Sequence, residues 1–346
     1  MTFTQEHYLI ILAIGLSLLV QYLIIDLTLK KGIFLDHFDK VQKAHVHPTP
    51  RIGGLGIFLG SMLIIINKEI GTSLMIASIP AFLAGFLEDY SGKVEPLQRL
   101  AIMFLSPFLA IILLNSTVIT TIGGIHIPVL LSMMFTALLS TAMVNGVNFT
   151  DGQNGLAGGT VLITCLVMAG LGHILQDESL VYICSIIAAG VLTFLCYNYP
   201  KGKIFLGDGG AYFCGFIISI IAIVLYNRHQ LEVSVLVIPT LLIYPLWEVV
   251  FSTIRKLLLD KISPLRSDKY HLHQLLYRNQ AHHKEYLPTI YILPAQIIVS
   301  ALCLLWYNDS ILLSLVIVSY IVAYIVVYYY SRKLDIQRRA LAIHKK

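Results

Sequence analysis

The sequence predicts an all-α, polytopic integral membrane protein. Apolar residues make up 57% of the 346 residues and charged residues only 12%, and the mean hydropathy is +0.79. Soluble domains carry roughly 25% charged residues, so most of this chain must face a solvent other than water. Apolar runs alternate with short polar connections along the whole length. We therefore treat residues 1–346 as one membrane-embedded domain, with 255–287 as its largest cytoplasmic loop.

Eleven apolar segments are candidates for transmembrane helices. A helix needs about 20 mostly apolar residues to cross a bilayer, and the second and third segments are short, so ten spans is the alternative count. Gly56-x-x-x-Gly60 and the cluster Gly155, Gly158 and Gly159 predict close packing between helices. The segments are, approximately, 8–29, 52–66, 72–87, 99–115, 127–146, 155–174, 180–197, 210–226, 233–254, 288–306 and 311–330.

The basic residues predict the orientation of the spans, because Lys and Arg collect in short cytoplasmic loops. When the connections alternate between two sides, 22 of the 24 basic residues fall on one side, and only Lys68 and Arg228 fall on the other. The N-terminus is therefore predicted to lie outside and the C-terminus in the cytoplasm, with an odd number of spans. The same asymmetry, with some attraction to anionic lipid headgroups, accounts for the net charge of +5. Nucleic acid is not needed as a partner.

A polar motif follows each of the third, fifth, seventh and ninth spans on the predicted cytoplasmic side. The four motifs contain Glu88-Asp89, Asn145–Asn154, Lys201–Asp208 and Arg266–His273. Short loops are polar in any membrane protein, which explains one such motif but not four at one face. A carboxylate at membrane depth costs about 2.5–3.5 kcal/mol on insertion scales and is usually functional. The motifs therefore indicate a site at the cytoplasmic face.

The residue types in these motifs suit a magnesium–diphosphate site. Mg²⁺ prefers one or two carboxylates together with phosphate oxygens, and Mn²⁺ is the alternative metal. Asp208 lies in a Gly-Asp-Gly-Gly turn, where the backbone can approach a ligand closely. Residues that could neutralise phosphates are Lys43, Arg99, Lys201 and Arg266.

Helical spacing separates the roles of the other polar residues. Glu88 and Asp89 are adjacent, so on a helix they point about 100° apart and cannot both serve one ligand. Asn145, Asn148 and Asp151 recur every three residues and would form one polar stripe. The turn that begins at Gly152 then offers backbone amides. His271-Leu-His273 is weak as a zinc pair, because no third ligand is obvious.

Five motifs, in order between residues 43 and 276, resemble the polyprenyl-phosphate N-acetylaminosugar-1-phosphate transferases. This is the WecA and MraY type, glycosyltransferase family 4. The motifs are His47-Pro-Thr-Pro-Arg-Ile-Gly-Gly54, the Glu88-Asp89 segment, Asn145–Gly155, Phe205-Leu-Gly-Asp208 and His271-Leu-His273-Gln-Leu-Leu276.

The resemblance implies an enzyme that moves a sugar-1-phosphate, expected to be an N-acetylhexosamine phosphate, from a UDP-sugar to undecaprenyl phosphate and releases UMP with Mg²⁺. It matches Asp208 to the magnesium ligand, Phe205 to an aromatic residue that packs on uracil, and Asp89 to a carboxylate near the acceptor phosphate. Asp89 is also the second candidate metal ligand, and Glu88 and Asp151 join these two as catalytic candidates. Candidate substrate-binding residues are Asn145, Asn148, Gly152, Asn154, Phe205, Lys43, Arg99, Arg266, His271 and His273.

Two residues depart from the family pattern. Glu88 replaces the first acid of an Asp-Asp pair, and Asn154 replaces the second acid of Asp-Gly-x-Asp-Gly. The His-x-His form resembles the WecA-like initiators of surface polysaccharide or O-antigen more than the peptidoglycan enzyme. The alternatives are a UDP-MurNAc-pentapeptide phosphotransferase, a secondary transporter and a non-catalytic membrane relative.

The resemblance also implies where the protein works and with what. The expected location is the bacterial cytoplasmic (inner) membrane, with the active site facing the cytoplasm. The expected partners are undecaprenyl phosphate, a UDP-sugar and membrane lipid, with a homodimer as a further option.

Overall fold

The computed structural model describes residues 3–36, 49–263, 266, 268–280 and 284–344. The chain is 77% helical, as the sequence predicts. The strands in this part of the chain form two antiparallel two-stranded sheets, each with two residue pairs. Lys43, a predicted phosphate-binding residue, lies outside the described residues.

The elements follow the apolar segments of the sequence. The helices are α1 (Phe3–Lys31), α2 (Gly53–Ser61), α3 (Gly71–Ser91), α4 (Pro96–Leu113), α5 (Val129–Thr150), α6 (Leu156–Ile174), α7 (Glu178–Asn198), α8 (Gly207–Arg228), α9 (Val237–Leu241), α10 (Ile243–Ile254), α11 (Leu272–Arg278), α12 (Leu287–Leu305) and α13 (Ser310–His344). A 3₁₀ turn (Met62–Ile66) continues α2, and a π turn (Arg255–Leu259) continues α10. The strands are β1 (Leu35–Asp36), β2 (Thr49–Pro50), β3 (Thr121–Ile122) and β4 (Ile125–His126).

Within the described residues, eight helices are long and apolar enough to cross a membrane. They are α1, α3, α5, α6, α7, α8, α12 and α13. Each of the other three predicted spans is also helical, but shorter or broken. The apolar helices Gly53–Ile66 and Leu97–Leu113 occupy two of them. The first has 14 residues and would reach only about 21 Å as a straight α-helix.

The predicted ninth span, 233–254, is two helices rather than one. α9 ends at Leu241 and α10 starts at Ile243, with Leu242 between them outside helical geometry. Pro245 lies in the first turn of α10 and has no N–H to donate to the preceding turn. A continuous helix would lack that hydrogen bond, and the chain instead forms two helices that meet at Leu242.

Helix α8 is the centre of the bundle. All of its 18-residue apolar window is buried inside the protein, whereas the windows of α1 and α13 are only 17% buried. α8 packs against α2, α3, α4, α5, α6 and α9. Protein rather than lipid therefore covers its apolar faces.

The polar loops bring several helix ends together at the first residue of α8. The β1–β2 hairpin leads directly into Arg51, whose N–H donates to the Phe34 carbonyl oxygen at 2.8 Å. α3 ends at Gly92, which adopts a left-handed conformation with φ of 60°. α4 then starts with a capping box formed by Glu95 and Gln98. These turns direct Arg51, the end of α3 and the start of α4 towards one point.

Candidate active site

The first three backbone amides of α8 donate to carboxylates from other helices. The Gly207 N–H lies 3.2 Å from Asp151 Oδ2, the Asp208 N–H 3.0 Å from Asp89 Oδ1, and the Gly209 N–H 2.9 Å from Asp89 Oδ2. The first amides of a helix have no partner within it and carry its positive dipole end. Asp89 and Asp151 therefore anchor the end of α8 electrostatically.

Glycines allow the helices to approach this closely. A Cβ atom on Gly85 of α3 would lie 2.2 Å from the Asp208 carbonyl carbon, and one on Gly54 of α2 would lie 2.1 Å from Gly210 Cα. Backbone atoms cannot move aside as a flexible side chain can. We expected the glycines beside Asp208 to let a ligand approach the backbone; the structure shows that Gly209 and Gly210 pack against neighbouring helices.

Two guanidinium groups converge on the Asp208 carboxylate. Arg51 Nη2 lies 2.5 Å from Asp208 Oδ1, and Arg99 Nη1 lies 3.3 Å from Asp208 Oδ2. Arg51 also approaches Asp89 Oδ1 at 3.5 Å. The Asp208 side chain is only 6% exposed, whereas Arg51 keeps 37% and Arg99 24% of the side chain exposed. The charges that face outward at this site are therefore positive.

Glu88 and Asp89 point to different partners, as their adjacency on α3 predicts. The Asp89 side chain is 2% exposed and accepts two amides of α8. Glu88 is 20% exposed, lies 3.7 Å from Arg99 Nη1 and accepts the Val94 N–H at 3.1 Å. Glu88 thus supports the loop between α3 and α4, on the side of the site where Arg99 enters.

Asp151 caps the C-terminus of α5 and is half-buried. That burial raises the pKa of its carboxyl to about 8; the positive charge of Arg51 opposes the shift and the negative charge of Asp208 adds to it. The two asparagines of the predicted polar stripe on α5 have different surroundings. Asn145 donates to the Thr141 carbonyl oxygen within the helix at 2.8 Å, while the half-buried Asn148 side chain has no hydrogen bond to any described residue.

The Gly152–Gly155 turn is held by side chains rather than left open. Asn154 is 4% exposed. It donates to the Pro200 carbonyl oxygen at 3.0 Å and to Glu285 Oε2 at 3.2 Å. The Gly155 N–H is bonded to Asn198 Oδ1 at 2.6 Å. The structure thus gives Asn154 contacts with the protein itself, and its amide suits the neighbouring Glu285 carboxylate.

The two histidines lie against the other side of the Asp151 turn. Their rings stack at 5.7 Å with an interplanar angle of 11°. His273 is fully buried, and burial lowers the pKa of its imidazole to about 3. Its Nε2 has no partner among the described residues and would lie 3.3 Å from a Cβ on Gly152. In the described part of the chain, no group of three His, Cys, Asp or Glu side chains could hold a metal ion.

Two predicted residues lie outside the hydrogen bonds of the three aspartates. The Arg266 side chain is exposed, and among the described residues its backbone N–H donates to the Ser263 carbonyl oxygen at 3.0 Å. Phe205 is half-buried, and its backbone pairs with Pro50 and Gly53 at 2.8 Å. That pairing fixes Phe205 beside Arg51.

Three residues of the site were not assigned a role from the sequence. Arg51 is a loop cation, which the positive-inside rule already explains. The sequence could have indicated Glu248, because an acid inside an apolar run is unusual; in the structure it contacts His271. The sequence does not distinguish Tyr324 from other tyrosines, because tyrosine is common in membrane helices.

The donor set at the end of α8 fits a hard divalent cation. Asp89 and Asp151 are engaged by backbone amides, so Asp208 is the carboxylate with oxygens directed to charged side chains alone. Mg²⁺ is typically held by one or two carboxylates with substrate phosphates supplying further oxygens. Asp208 would hold the metal, with Asp89 next to it.

Comparison with known proteins identifies relatives over most of the chain. The family model described as Glycosyl transferase family 4 matches residues 72–226. A probable undecaprenyl-phosphate N-acetylglucosaminyl 1-phosphate transferase of Bacillus subtilis (strain 168) is 30% identical over 338 residues, 91% of each chain. An undecaprenyl-phosphate alpha-N-acetylglucosaminyl 1-phosphate transferase of Thermotoga maritima is 29% identical over 255 residues, 72% of this chain and 75% of the relative.

A third relative carries a different name. A phospho-N-acetylmuramoyl-pentapeptide-transferase of Synechococcus elongatus is 28% identical over 248 residues, 64% of this chain and 67% of the relative. The family match includes Asp89, Asp151 and Asp208. Arg51 and the histidine pair lie outside that match.

Proposed function

The chain belongs to glycosyl transferase family 4, the polyprenyl-phosphate sugar-1-phosphate transferases, and we propose that it uses a UDP-N-acetylhexosamine as donor. In this proposal it moves the sugar-1-phosphate to undecaprenyl phosphate and releases UMP. The reaction would initiate the assembly of a surface polysaccharide or O-antigen, at the cytoplasmic face of the bacterial inner membrane.

The observation that carries this proposal is the pair of guanidiniums on Asp208. Arg51 and Arg99 are partly exposed and reach the same buried carboxylate from different elements, Arg51 from the loop before α2 and Arg99 from α4. Guanidinium groups match the geometry of phosphate oxygens, because they offer several N–H donors in one plane. A diphosphate bound here would have the guanidiniums of Arg51 and Arg99 on one side and, on the other, the metal that Asp208 would hold.

Mg²⁺ is the cofactor we propose, with Asp208 as its main protein ligand. When bound, it supplies positive charge to the phosphate oxygens on which negative charge accumulates. The protein's own contribution is positioning and fixed charge, which account for most of phosphoryl-transfer catalysis. Arg51 and Arg99 orient the diphosphate, and the rigid end of α8 holds Asp208 in place.

Direct transfer fits the hydrogen bonds of Asp89 better than a covalent intermediate does. A phosphate oxygen of the lipid attacks the β-phosphorus of the donor, and the bond from the β-phosphorus to the bridging oxygen breaks, so that UMP leaves. Each oxygen of Asp89 already accepts an amide of α8. Those hydrogen bonds stabilise the carboxylate and would weaken it as a nucleophile.

The donor is proposed to be a bare UDP-N-acetylhexosamine rather than UDP-MurNAc-pentapeptide. The chain has no large soluble domain to recognise a peptide, and its largest loop is about thirty residues long. Two of the three relatives named above are called N-acetylglucosaminyl transferases. N-Acetylglucosamine is therefore the first sugar to test.

A secondary transporter is the rival from another class, and the buried charges do not favour it. Transporters keep ionisable sites near the bilayer midplane. Asp26 forms an exposed ion pair with Lys30 at 2.7 Å. Glu248 is bonded to His271, in the loop that faces the candidate site.

The central experiment measures UMP release by the purified full-length chain with undecaprenyl phosphate, Mg²⁺ and a panel of UDP-sugars. The panel contains UDP-N-acetylglucosamine, UDP-N-acetylgalactosamine and UDP-MurNAc-pentapeptide. Activity confined to the peptide-bearing donor would move the chain to the peptidoglycan branch. No UMP from any donor would favour the non-catalytic relative.

A pair of arginine variants tests the site within the same assay. Arg51→Lys keeps the charge but loses the planar fork, so kcat/KM for the UDP-sugar should fall by roughly tenfold. Arg228→Lys is the matched control, because Arg228 also pairs with two acids, Glu69 and Asp177, but at the other end of α8. Equal effects of the two changes would contradict a special role for Arg51.

A further inference from the structure

Glu248 is a buried carboxylate whose two oxygens are both engaged. It lies on α10 and is 1% exposed. Glu248 Oε1 lies 2.8 Å from His271 Nδ1 and 3.4 Å from the Leu272 N–H. Glu248 Oε2 accepts the Tyr324 hydroxyl of α13 at 2.7 Å. A buried carboxylate is costly unless it is fully hydrogen-bonded, and here three donors surround it.

These contacts determine which nitrogen of His271 carries the proton. A carboxylate is only an acceptor, so His271 Nδ1 must be the donor in this pair. The ring cannot turn freely, because Phe149 lies 4.9 Å from it on one element and His273 stacks on it from the same loop. Nε2 is then the nitrogen directed away from Glu248; Asp268 Oδ1 lies 3.8 Å from it, beyond hydrogen-bond distance.

The position of the ring relates it to the candidate active site. Phe149 is two residues before Asp151, which in turn anchors the first amide of α8. The C-terminal helix braces the same loop in two further places. Arg332 lies 3.1 Å from Asp260 Oδ1, and Asp335 lies 3.1 Å from Arg278 Nε. α13 therefore contacts α10 through Tyr324 and the segment around the histidines through Arg332 and Asp335. Neither the family match nor the five motifs reach α13.

We propose that Glu248 and Tyr324 are positioning residues that hold His271 as the Nδ1–H tautomer, so that the unprotonated Nε2 is presented as a hydrogen-bond acceptor to a hydroxyl or amide N–H of the nucleotide sugar. This rests on the proposed function for its substrate, but not for the tautomer itself. Which ring nitrogen of a histidine is protonated is set by the hydrogen bond that the other makes. The C-terminal helix, through Tyr324, then acts on the reaction without contacting the substrate.

The first test reads the tautomer directly and does not depend on activity. The full-length chain, labelled with ¹⁵N in its imidazoles, is placed in lipid nanodiscs, and the His271 signal is assigned by its loss in His271→Asn. The native protein should show the Nδ1–H form. Tyr324→Phe and Glu248→Gln should each shift the signal towards the other tautomer or a mixture. An Nε2–H form or a doubly protonated imidazolium in the native protein would overturn the proposal.

A matched tyrosine provides the control. Tyr328 lies one turn after Tyr324 on α13, is fully buried, and its hydroxyl has no hydrogen-bond partner in the described ranges. Tyr328→Phe therefore removes a hydroxyl from the same helix face without touching Glu248, and it should leave the His271 signal unchanged. If Tyr328→Phe shifted the signal as Tyr324→Phe does, the effect would belong to α13 packing and the proposal would fail.

The second test asks whether Glu248 acts through His271. Glu248→Gln should lower kcat for UMP release by roughly tenfold, with KM for the donor within about twofold, whereas in the His271→Asn background the same change should cost less than about twofold. A full tenfold loss in both backgrounds would show that Glu248 acts independently of His271. If size-exclusion chromatography shows that Glu248→Gln does not fold, Tyr324→Phe replaces it in the same comparison with His271→Asn. If the native protein released no UMP, the proposed function would be wrong. The tautomer measurement would still test the positioning of His271 by Glu248 and Tyr324.

Discussion

Three aspartates surround the start of α8, and two of them bind its backbone amides while the third is paired with arginines. Asp89 and Asp151 accept backbone amides, whereas Asp208 faces only the guanidiniums of Arg51 and Arg99. A carboxylate that satisfies a helix end is already stabilised there. This division supports the proposal that Asp208 would hold the metal, with Asp89 and Asp151 positioning Asp208.

Asp208→Asn should reduce UMP release by orders of magnitude while the protein still folds. The amide keeps the shape of the side chain but removes the negative charge with which Asp208 would hold Mg²⁺. The measurement is the rate at saturating Mg²⁺, with size-exclusion chromatography as the check on folding. Near-normal turnover would move the metal to Asp89 or Asp151.

The neighbouring acids should respond unequally. In Asp89→Asn the amide NH₂ replaces one of two oxygens that face amides of α8, so transfer should be nearly abolished and the free energy of unfolding should fall by about 1–3 kcal/mol. Glu88→Asp should keep much of the activity, because Glu88 contacts only Arg99 and a loop amide. Rates, KM and thermal unfolding of both variants decide this. Equal, mild losses would favour two solvated loop carboxylates.

Asn154→Asp, which restores the acid expected in the family pattern, should destabilise this chain. The new carboxylate would replace a donor and face Glu285, whose Oε2 lies 3.2 Å from Asn154 Nδ2. The expected loss is about 1–3 kcal/mol at neutral pH. Like charge and burial raise the pKa of the new acid in the folded state, so the loss should shrink as the pH falls.

Thermal unfolding between pH 5 and pH 8 measures this effect. Glu285→Gln in the same chain is the control, because it removes the opposing charge and should restore much of the stability. A pH-independent loss in Asn154→Asp would mean that the missing hydrogen bond to Pro200, rather than repulsion, is responsible.

At the scale of the elements, helix contacts at the site depend on glycine pairs. Gly85 and Gly54 face backbone atoms of α8 at distances that no Cβ tolerates. The predicted small-residue packing is also present: Gly56 and Gly60 face Gln21 and Ser17 of α1. Close approach of α2 and α3 is thus what brings Arg51 and Asp89 to Asp208.

Gly85→Ala should lower both the stability and the activity. The added Cβ would lie 2.2 Å from the Asp208 carbonyl carbon, so α3 must shift away from α8 and carry Asp89 with it. Overpacking of this kind costs typically about 1–3 kcal/mol. Gly15→Ala on α1 is the control, because its Cβ would meet nothing within 4 Å. If the thermal unfolding midpoints of the two variants were equal, the close contact would not matter.

Local sequence predicts the helices better than it predicts their partners. Apolar runs give the spans because a backbone in lipid must satisfy its own hydrogen bonds, and the polar motifs that follow them mark the helix ends. The pairing of Arg51 with Asp208 joins residues 157 positions apart. No local pattern indicates it. Tyr324 is also identified only after α13 is packed against α10, and the break at Leu242 only through the proline in the next turn.

At the scale of the whole molecule, the two ends of α8 carry different charge arrangements. The site surrounds its first turn. At its last turn Arg228 and His229 pair with Asp177 at 3.2 Å and 3.1 Å, beside a cavity of about 470 Å³ lined in part by Glu69 and Asn227. Nearly all of the basic residues are predicted to share the side of the site. The orientation of the chain therefore decides whether the site meets the nucleotide sugars of the cytoplasm.

Cysteine labelling of intact cells should place the site in the cytoplasm. Of the five native cysteines only Cys196 is exposed, and it is first changed to Ala. A membrane-impermeant maleimide should then react at Leu231→Cys, where the native side chain is 98% exposed. Lys203→Cys, in the exposed loop before α8, should react only after the cells are permeabilised. Reaction at Lys203→Cys in intact cells would reverse the orientation and separate Arg51 and Asp208 from their proposed donor.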